Sequence, residues 1–588
     1  MVCRRRQNLH DMSWALRWVV RCMVSLSIVP CWSGWTVAQE RLGMEPPRQR
    51  GPVATSIRTP EAAPLLPRPE LPPLPSVPSE RVDQLPLPRV FVHEIRLMGN
   101  TVFPQDRLDS VTRPYLKRHV TSEELETLRL DLTRLYVNAG YINSGAILPD
   151  QSVAGGVITL QIIEGTLTSV TVDGNRWFRD SYLRKRFTLD VGTPLQIGVL
   201  QARLQAVQQD DRITRLAAEL RPGVRLGDSA LHVHVVERLP ISVTLEANNY
   251  QSPSVGAERL LLTVAHRNLT GHGDVLSVTY GRSEGLNPQL DTSYSLPLNA
   301  RETTVSARYR RNDSSVVEER FAALDIESQS ETYTLTLRHP FYRTLQRELA
   351  VALSAERLES MTSLQGKPFS FSPGARNGTV TDTALRLALE WLDRTPYQVI
   401  AVRSRFSVGV DILEATTHND RSIPDGRFFT WAGQVQWARR LASSDIQLLF
   451  RLDVQLASEP LLPLEQLAIG GRFSVRGYRE NQLVRDNGLI AALEAHLPIV
   501  RNTPWAEALQ LVPFVDFGRA WNHPARASES GILASMGLGL RWTASVDTFV
   551  PLRTQCEIFW GQKLREIQTE GGNLQDKGLH LQVVLSAF

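Results

Sequence analysis

The sequence of 588 residues is poor in cysteine and in net charge. Three of its four cysteines precede residue 38, so Cys556 has no partner for an intramolecular disulfide in the rest of the chain. The formal net charge of +4 equals the balance of residues 1–38, which hold five arginines and Asp11 (5 − 1 = +4). Residues 39–588 therefore sum to zero, which gives no support to nucleic-acid binding. Apolar residues at 42% and charged residues at 21% indicate neither wholesale disorder nor a helical membrane protein.

The first 38 residues predict a secretory signal peptide. A basic start, with Met1 or Met12 as the initiator, leads into the apolar run 22–29 and the small residues Thr36-Val37-Ala38. This run is far shorter than the ~20 residues of a transmembrane helix. Residues 39–89 follow as a Pro-rich tract, which predicts an extended linker rather than a packed element.

Residues 90–165 and 166–238 show the same order of predicted elements, β-α-α-β-β. In the first segment, Thr121 and Glu124 form a capping box at the start of the longer helix, which ends at Gly140. A Gly-Asn pair follows the first strand of each segment, at Gly99-Asn100 and at Gly174-Asn175. This internal duplication predicts two small α/β domains.

From residue 240 to 588 the helical period gives way to strict alternation. Phe450, Leu452 and Val454, for example, alternate with Arg451 and Asp453. An apolar face over ~10 residues opposite a polar face is the pattern of a transmembrane strand between lipid and water. Sixteen such segments are predicted to begin near Ile241, Ala257, Gly273, Gln289, Glu302, Glu331, Arg347, Thr381, Tyr397, Phe428, Asp445, Asn487, Glu507, Gly531, Arg553 and Gly578. The even number predicts a closed antiparallel barrel around an aqueous lumen, with a soluble β-sandwich as the alternative.

One predicted connection, residues 457–486, is far longer than the median of about 4–6 residues. Its first limb is apolar, and its centre reads Val475-Arg476-Gly477-Tyr478. An arginine carried out of bulk water needs a carboxylate or several acceptors. Asp516 is the candidate, because it lies on the predicted inward face of a following strand, as Glu494 and His496 do on the neighbouring strand. The alternative is a solvated loop arginine and an unrelated pore-lining charge.

These residues carry a resemblance to a known family. Val475-Arg476-Gly477-Tyr478, followed by Phe514-Val515-Asp516-Phe517-Gly518, resembles the paired signature of outer-membrane protein-translocating barrels. Leu135-Tyr136, Gly140-Tyr141 and Leu148-Pro149-Asp150-Gln151 resemble the first POTRA domain of TpsB transporters, which serve two-partner secretion. In that family a plug helix can precede such a linker; little in this sequence has that pattern, and whether one lies before the Pro-rich tract is left open by the sequence.

The resemblance implies two periplasmic POTRA domains, at 90–165 and 166–238, and a 16-stranded outer-membrane barrel at 240–588. The loop 457–486 is expected to fold into the lumen, where the Val475–Tyr478 motif meets a wall formed by Phe514, Asp516 and Gly518. Partner binding is expected at Tyr136, Gly140, Tyr141, Pro149 and Gln151.

The sequence therefore predicts a monomeric exporter in outer-membrane lipid. It would capture a secreted exoprotein through its POTRA domains and thread it unfolded through the pore, without a cofactor, metal or nucleotide. The alternatives are a barrel-assembly (insertase) factor and a general porin. No enzyme is predicted, because the G-x-S-x-G match at Gly281–Gly285 is followed by Pro288 and another strand pattern instead of a helix. The identity of the cargo is not encoded in these patterns.

Overall fold

The computed structural model describes residues 89–588 except 421, 442–443, 524–530, 547–549 and 568–571. The predicted signal peptide, and the predicted linker up to residue 88, lie outside the described residues. Within the described ranges, no helix combines the length and the apolar character that a membrane crossing requires. The chain divides into two compact units at Arg238 and Leu239, which are described in turn.

The first module of the amino-terminal unit contains five strands and two helices. They are β1 (Val90–Val92), β2 (Glu94–Met98), α1 (Gln105–Thr112), β3 (Arg118–Val120), α2 (Ser122–Asn138), β4 (Gly145–Ile147) and β5 (Val157–Ile163). The main sheet has the order β2-β5-β4, with β2 parallel to β5 and β4 antiparallel to it. The capping box at the start of α2 is present, since Thr121 Oγ1 accepts from Glu124 N at 3.2 Å and Glu124 Oε2 accepts from Thr121 N at 2.8 Å.

The second module repeats this topology. Its elements are β6 (Thr166–Asp173), α3 (Asp180–Phe187), α4 (Ile197–Gln208), β7 (Ile213–Pro222) and β8 (Asp228–Glu237). The sheet order is β6-β8-β7, again with one parallel and one antiparallel pair. Its core contains Leu183, Phe187, Leu195, Val233 and Val235, all fully buried. Each sheet leaves two edge strands, β2 and β4 in the first module and β6 and β7 in the second.

The predicted duplication extends to the turn after the first strand of each module. Gly99 and Gly174 have φ of +90° and +76°, and a Cβ at either position would lie 2.4–2.5 Å from a carbonyl oxygen of the neighbouring strand. The Asn100 side chain donates to Phe103 O at 2.7 Å, and the Asn175 side chain donates to Phe178 O at 2.8 Å. The repeated Gly-Asn pair therefore forms the same turn twice.

The carboxy-terminal unit is a closed antiparallel barrel. Its strands are β9 (Ile241–Asn248), β10 (Arg259–His266), β11 (Val275–Ser283), β12 (Leu286–Pro297), β13 (Thr304–Ser315), β14 (Ile326–Arg343), β15 (Arg347–Leu364), β17 (Thr379–Arg394), β18 (Gln398–Gly409), β19 (Phe429–Arg440), β20 (Gln447–Ala457), β23 (Asn487–Thr503), β24 (Ala506–Trp521), β25 (Gly531–Val546), β26 (Leu552–Lys563) and β27 (Leu579–Ala587). A two-residue strand, β16 (Lys367–Pro368), pairs with the end of β15, and β27 pairs with β9 to close the barrel.

The alternation of the sequence determines the two faces of this barrel. On β17, Leu385, Leu387 and Leu389 are exposed on the outside, whereas Asp382 and Arg386 are buried on the inside. The predicted number of sixteen barrel strands is confirmed, and the largest error in a strand start is that of β14, predicted at Glu331 and observed at Ile326 (331 − 326 = 5). Between β13 and β14 lies a short helix, α5 (Glu319–Ala322).

Candidate functional site

The connection between β20 and β23 folds into the barrel. It contains a small hairpin of β21 (Leu467–Ile469) and β22 (Leu483–Arg485), and residues 470–482 between these strands are called the loop tip. Leu467, Ile469, Val475 and Tyr478 pack against Ile490, Ala520 and Leu533 of the barrel wall in one buried cluster. The apolar character of the loop is thus explained by its burial against the wall.

Arg476 contacts the carboxylate that the sequence analysis assigned to it. Its Nε and Nη2 donate to the two oxygens of Asp516, each at 2.7 Å, and its backbone N–H donates to the same carboxylate at 2.9 Å. Its Nη1 donates to Glu494 at 2.7 Å, and its guanidinium carbon lies 3.6 Å from the centre of the Phe514 ring. The arginine is therefore held by a bidentate pair, a second carboxylate and an aromatic face.

The other residues of the predicted motif fix the position of that arginine. Gly477 has φ +91°, and a Cβ there would lie 2.7 Å from the carbonyl oxygen of Gly561 on β26. Tyr478 is fully buried, and its hydroxyl donates to Arg565 O at 2.7 Å. A Cβ at Gly518 would lie 2.8 Å from Val475 Cγ2, so the small residue on the wall makes room for the tip.

His496 lies on the lumen side of β23 but away from the direct contacts of Arg476. It is buried, and its Nε2 lies 3.9 Å from Glu494 Oε1, the carboxylate oxygen that does not bind Arg476 Nη1. The structure thus brings Glu494 into contact with Arg476 and places His496 beside Glu494 as a neighbour in the wall.

Two further arginines of the tip were missed in the sequence. Arg472 Nη2 donates to Glu557 on β26 at 2.8 Å, and its guanidinium lies 4.1 Å from the centre of the Phe559 ring. Arg479 Nε donates to Asp576 at 2.5 Å, in the connection before β27. Three arginines within eight residues indicate several acidic partners. The sequence does not identify these partners, because Glu557 lies 85 residues after Arg472 and Asp576 lies 97 residues after Arg479.

The first limb of the loop carries the opposite charge and was also missed. Glu465 accepts from Arg386 on β17 at 2.6 and 3.0 Å, and Arg386 also donates to Glu356 on β15 at 2.8 Å. All three side chains are at most 5% exposed. A single carboxylate within the apolar run Leu461–Ile469 was the signal that this limb has its own partner.

The predicted partner-binding residues of the first module lie in or beside its core. Tyr136 is fully buried, and its hydroxyl oxygen lies 2.6 Å from Asn100 Oδ1 and 3.0 Å from Glu164 Oε1, so its single proton is shared between two acceptors. Tyr141 packs edge to face against Tyr136, with ring centres 6.2 Å apart. The Tyr136 ring is thus enclosed by the module in this conformation, where its contacts stabilise the core.

The remaining predicted residues of this module also make internal contacts. Gly140, with φ +92°, accepts from Ile197 N of the second module at 2.9 Å, so it lies where the two modules meet. Gln151 makes two hydrogen bonds of 2.8 Å with the backbone of Thr159, and Pro149 is partly buried beside it. The resemblance thus identified residues that build the module, and a partner-binding role for them stays a prediction.

A partly buried carboxylate, Glu164, binds the residues that follow the Gly99-Asn100 turn of the first module. Burial opposes the ionisation of Glu164, but hydrogen bonds from the Thr101 side chain and N–H, from Tyr136 and from Val102 N–H hold its pKa below the ordinary value. Glu237 occupies the equivalent place in the second module, where it accepts from Trp177 N at 2.7 Å. Glu164 and Glu237 are thus equivalent residues of the internal duplication.

Comparisons with known proteins agree with this geometry. The model of the family described as haemolysin secretion/activation protein ShlB/FhaC/HecB matches residues 227–542, which is more than half of the chain. The chain belongs to this family. A model of the ShlB-type POTRA domain matches residues 90–165.

Several relatives are similar along most of their length. The outer membrane transporter CdiB of Dickeya dadantii is 25% identical over 476 residues, which cover 77% of this chain and 81% of the relative. The hemolysin transporter protein ShlB of Serratia marcescens is 24% identical over 439 residues, covering 72% and 73%. The solved structure of CdiB from Escherichia coli matches with a TM-score of 0.64 at 20% identity, over 90% of this chain and 94% of that one.

The protein is thus a TpsB-type outer-membrane transporter, with its POTRA domains in the periplasm. The predictions of family, fold class and location are confirmed. The family consists of transporters, so the prediction that the chain is not an enzyme is confirmed as well. The structure of BamA from Haemophilus ducreyi lacking POTRA domains 1–3, with a TM-score of 0.50 at 13% identity over 84% of this chain and 99% of that one, shares the fold alone.

Proposed function

We propose that this transporter captures a secreted exoprotein through its POTRA domains and threads it, unfolded, through the barrel while the loop tip moves aside. The observation that supports this most directly is the position of the tip. It lies in the lumen, and the contacts that hold it there include charge pairs between side chains, such as Arg476 with Asp516. Such pairs open without any change in the covalent chain.

The sheet edges of the two modules support the capture step. Strand β7 has ten residues and pairs with β8 on one side only among the described strands. An extended peptide adds to such an edge through main-chain hydrogen bonds, which need no particular sequence. An unfolded segment of an exoprotein is the kind of ligand that fits this mode.

The dimensions of the barrel support passage in an unfolded state. Sixteen strands about 4.8 Å apart and tilted by about 40° give a backbone diameter of about 32 Å. Side chains extend about 5 Å from each wall, half the ~10 Å spacing of packed sheets, which leaves a lumen about 22 Å wide. A folded domain of about 100 residues has a radius of gyration of about 13 Å and is too wide for this lumen. An extended chain passes once the tip has moved.

The capture step is tested by deleting residues 90–238 and measuring the exoprotein in the medium. The cargo to test in this assay is an exoprotein from a reading frame that neighbours that of the transporter. We expect export to stop while the barrel is still found in the outer membrane. Export at the level of the intact chain would refute capture by these modules.

The threading step needs a separate experiment. A small domain closed by a disulfide is fused to the exoprotein, and export is followed with and without a reducing agent. We expect the oxidised fusion to stall and the reduced fusion to be exported. Equal export of both forms would refute passage in an unfolded state.

A further inference from the structure

A short stretch before and within β27 contacts the loop tip on one side and β9 on the other. We call residues 575–581 the bridging segment. On the tip side, Arg479 binds Asp576, Glu480 N donates to Gln575 Oε1 at 2.9 Å, and Gly477 N donates to His580 Nε2 at 3.1 Å. Three residues of the tip are thus attached to this segment.

On the other side, the bridging segment leads into the seam at which the barrel closes, where β27 pairs with β9. Strands β27 and β9 are paired over six residues, from Gln582 with Asn248 to Ala587 with Val243. The seam continues beyond the Gln582–Asn248 pair through Asn249, which is 1% exposed. Its backbone N–H donates to Leu581 O at 3.2 Å, its Nδ2 donates to Leu579 O at 2.9 Å, and its Oδ1 accepts from Leu581 N at 2.7 Å.

Gln575 connects the two sides through a single amide. Its Nε2 donates to Asn249 O at 2.6 Å and to Gln251 O at 2.7 Å, which are carbonyls of the chain that continues from β9. Its Oε1 accepts from Glu480 N of the tip, and the side chain is fully buried. A planar amide has both donors and its acceptor in fixed directions, so one orientation serves the seam and the tip together.

We infer that the loop tip holds the seam closed through Gln575, so that withdrawal of the tip loosens the pairing of Asn249 with the bridging segment. Withdrawal leaves Oε1 of Gln575 without the N–H of Glu480, and a buried acceptor without a donor is unfavourable. Water then enters beside the amide and competes for the carbonyls of Asn249 and Gln251. Gln575 is therefore a positioning residue that couples the plug to the closure of the barrel.

Hydrogen exchange of the purified full-length protein in detergent tests this coupling. The readouts are the tip itself, residues 470–482, and the amides of Asn249 and Leu581 at the seam. Arg476→Ala releases the tip without altering a seam residue, and Gln575→Met removes the amide at similar volume. We expect each variant to speed exchange at the seam amides at least tenfold. If the tip stays protected in Arg476→Ala, the double variant R472A/R476A releases it and leaves the side chain of Arg479, which binds the bridging segment, unchanged.

The combination of variants separates coupling from a general loss of stability. In the Gln575→Met background, Arg476→Ala is expected to add nothing further at the seam, because Gln575 is the residue that contacts both the tip and the carbonyls of Asn249 and Gln251. Gln582→Met is the matched control, since its amide donates to Glu246 across the same seam at 2.8 Å and lies outside the link to Glu480. In that background Arg476→Ala is expected to retain its full effect. Wild-type exchange at Asn249 and Leu581 after release of the tip would overturn the inference.

A covalent staple supplies the reciprocal test, because coupling acts equally in both directions. Ala247 and Val583 are partners on the outer face of the seam, so cysteines at both positions are close enough for a disulfide. Cys556 is the partner of Val583 on β26 and is replaced by alanine in this background. We expect the oxidised staple to reduce exchange of the tip in Arg476→Ala at least threefold, and reduction to restore it.

An unchanged rate of tip exchange on oxidation would contradict the coupling. Variants that fail to fold are recognised by the loss of the compact, heat-modifiable band on a denaturing gel. None of these measurements involves export, so their outcome is independent of the proposed passage of an exoprotein.

Discussion

Replacement of Arg476 by alanine is the perturbation for which the structure gives the clearest magnitude. The change removes a bidentate pair with Asp516 and the bond to Glu494, and it leaves a carboxylate with a side-chain exposure of 0% without its counter-charge. Removal of one partner of a buried ion pair costs about 3–5 kcal/mol. It also removes the contact with the Phe514 ring, for which a desolvated cation–π pair contributes about 2 kcal/mol.

These terms set the expected shift in the position of the tip. Since about 1.4 kcal/mol is a tenfold change in an equilibrium, a loss of about 3–5 kcal/mol favours the withdrawn tip by about 100-fold to several thousand-fold. Arg472 and Arg479 keep their own carboxylates, so part of the hold on the tip remains in the variant. We expect a channel that is mostly closed in the wild type to be open for a large fraction of the time.

Single-channel recording in planar bilayers measures this fraction directly. Graded variants order the contributions: Arg476→Lys keeps the charge but loses the bidentate geometry, and Phe514→Leu keeps both carboxylates but loses the ring. The expected order of open probability is R476A, then R476K, then F514L, then wild type. Wild-type conductance in R476A, with exchange showing the tip displaced, would refute the conclusion that the tip closes the lumen.

Three further predictions concern other parts of the two units. Gly477→Ala places a side chain at φ +91°, which costs about 1–2 kcal/mol in backbone strain, and its Cβ also clashes with the β26 backbone. Hydrogen exchange of the tip is therefore expected to rise at least tenfold. Gly572→Ala is the control and is expected to leave this exchange unchanged, because the space around its Cβ is open. Glu465→Gln is expected to weaken the first limb by about 2 kcal/mol, seen as faster exchange over 461–469 and not at the tip. The pKa of Glu164 is lowered in the folded module, so its ionised form stabilises the module at pH values above the unfolded pKa of about 4.3. This stabilisation is lost as the pH falls through the folded pKa. Pulse proteolysis in urea is therefore expected to show that the wild type loses stability in acid through this group and that Glu164→Gln does not.

The architecture of the barrel was predictable because its signal is local. A strand between lipid and water alternates residue by residue, so each of the sixteen segments identifies itself without its neighbours. The repeated Gly-Asn turn was predictable for the same reason, since Gly99 and Gly174 serve the same positive φ in each module. Strand ends were less certain, as β14 shows, because alternation continues beyond the lipid in long hairpins.

The contacts of the loop were only partly predictable. Arg476 and Asp516 were paired through a motif, but the partners of Arg472 and Glu465 lie 85 and 79 residues away on strands with several inward-facing charges. Which charges meet depends on the path of the loop through the lumen, and no local pattern encodes that path. For Tyr136 two signals in the sequence disagree. Its helical spacing from Leu128 and Leu132 indicates burial, whereas the family motif suggests a binding role.

The distribution of charge explains how one loop keeps a single orientation in a wide lumen. The tip presents arginines to a wall of carboxylates on β23, β24 and β26, whereas the first limb presents Glu465 to Arg386 on β17. A tip turned toward β17 would bring its arginines against Arg386, and a limb turned toward β26 would bring Glu465 against Glu557. Each wall thus attracts one part of the loop and repels the other. The orientation of the loop is therefore selected both by attraction in the observed position and by like-charge repulsion in the reversed one. The same charges, once exposed to lumen water, are readily solvated, so the arrangement fixes the closed position of the tip without preventing its withdrawal.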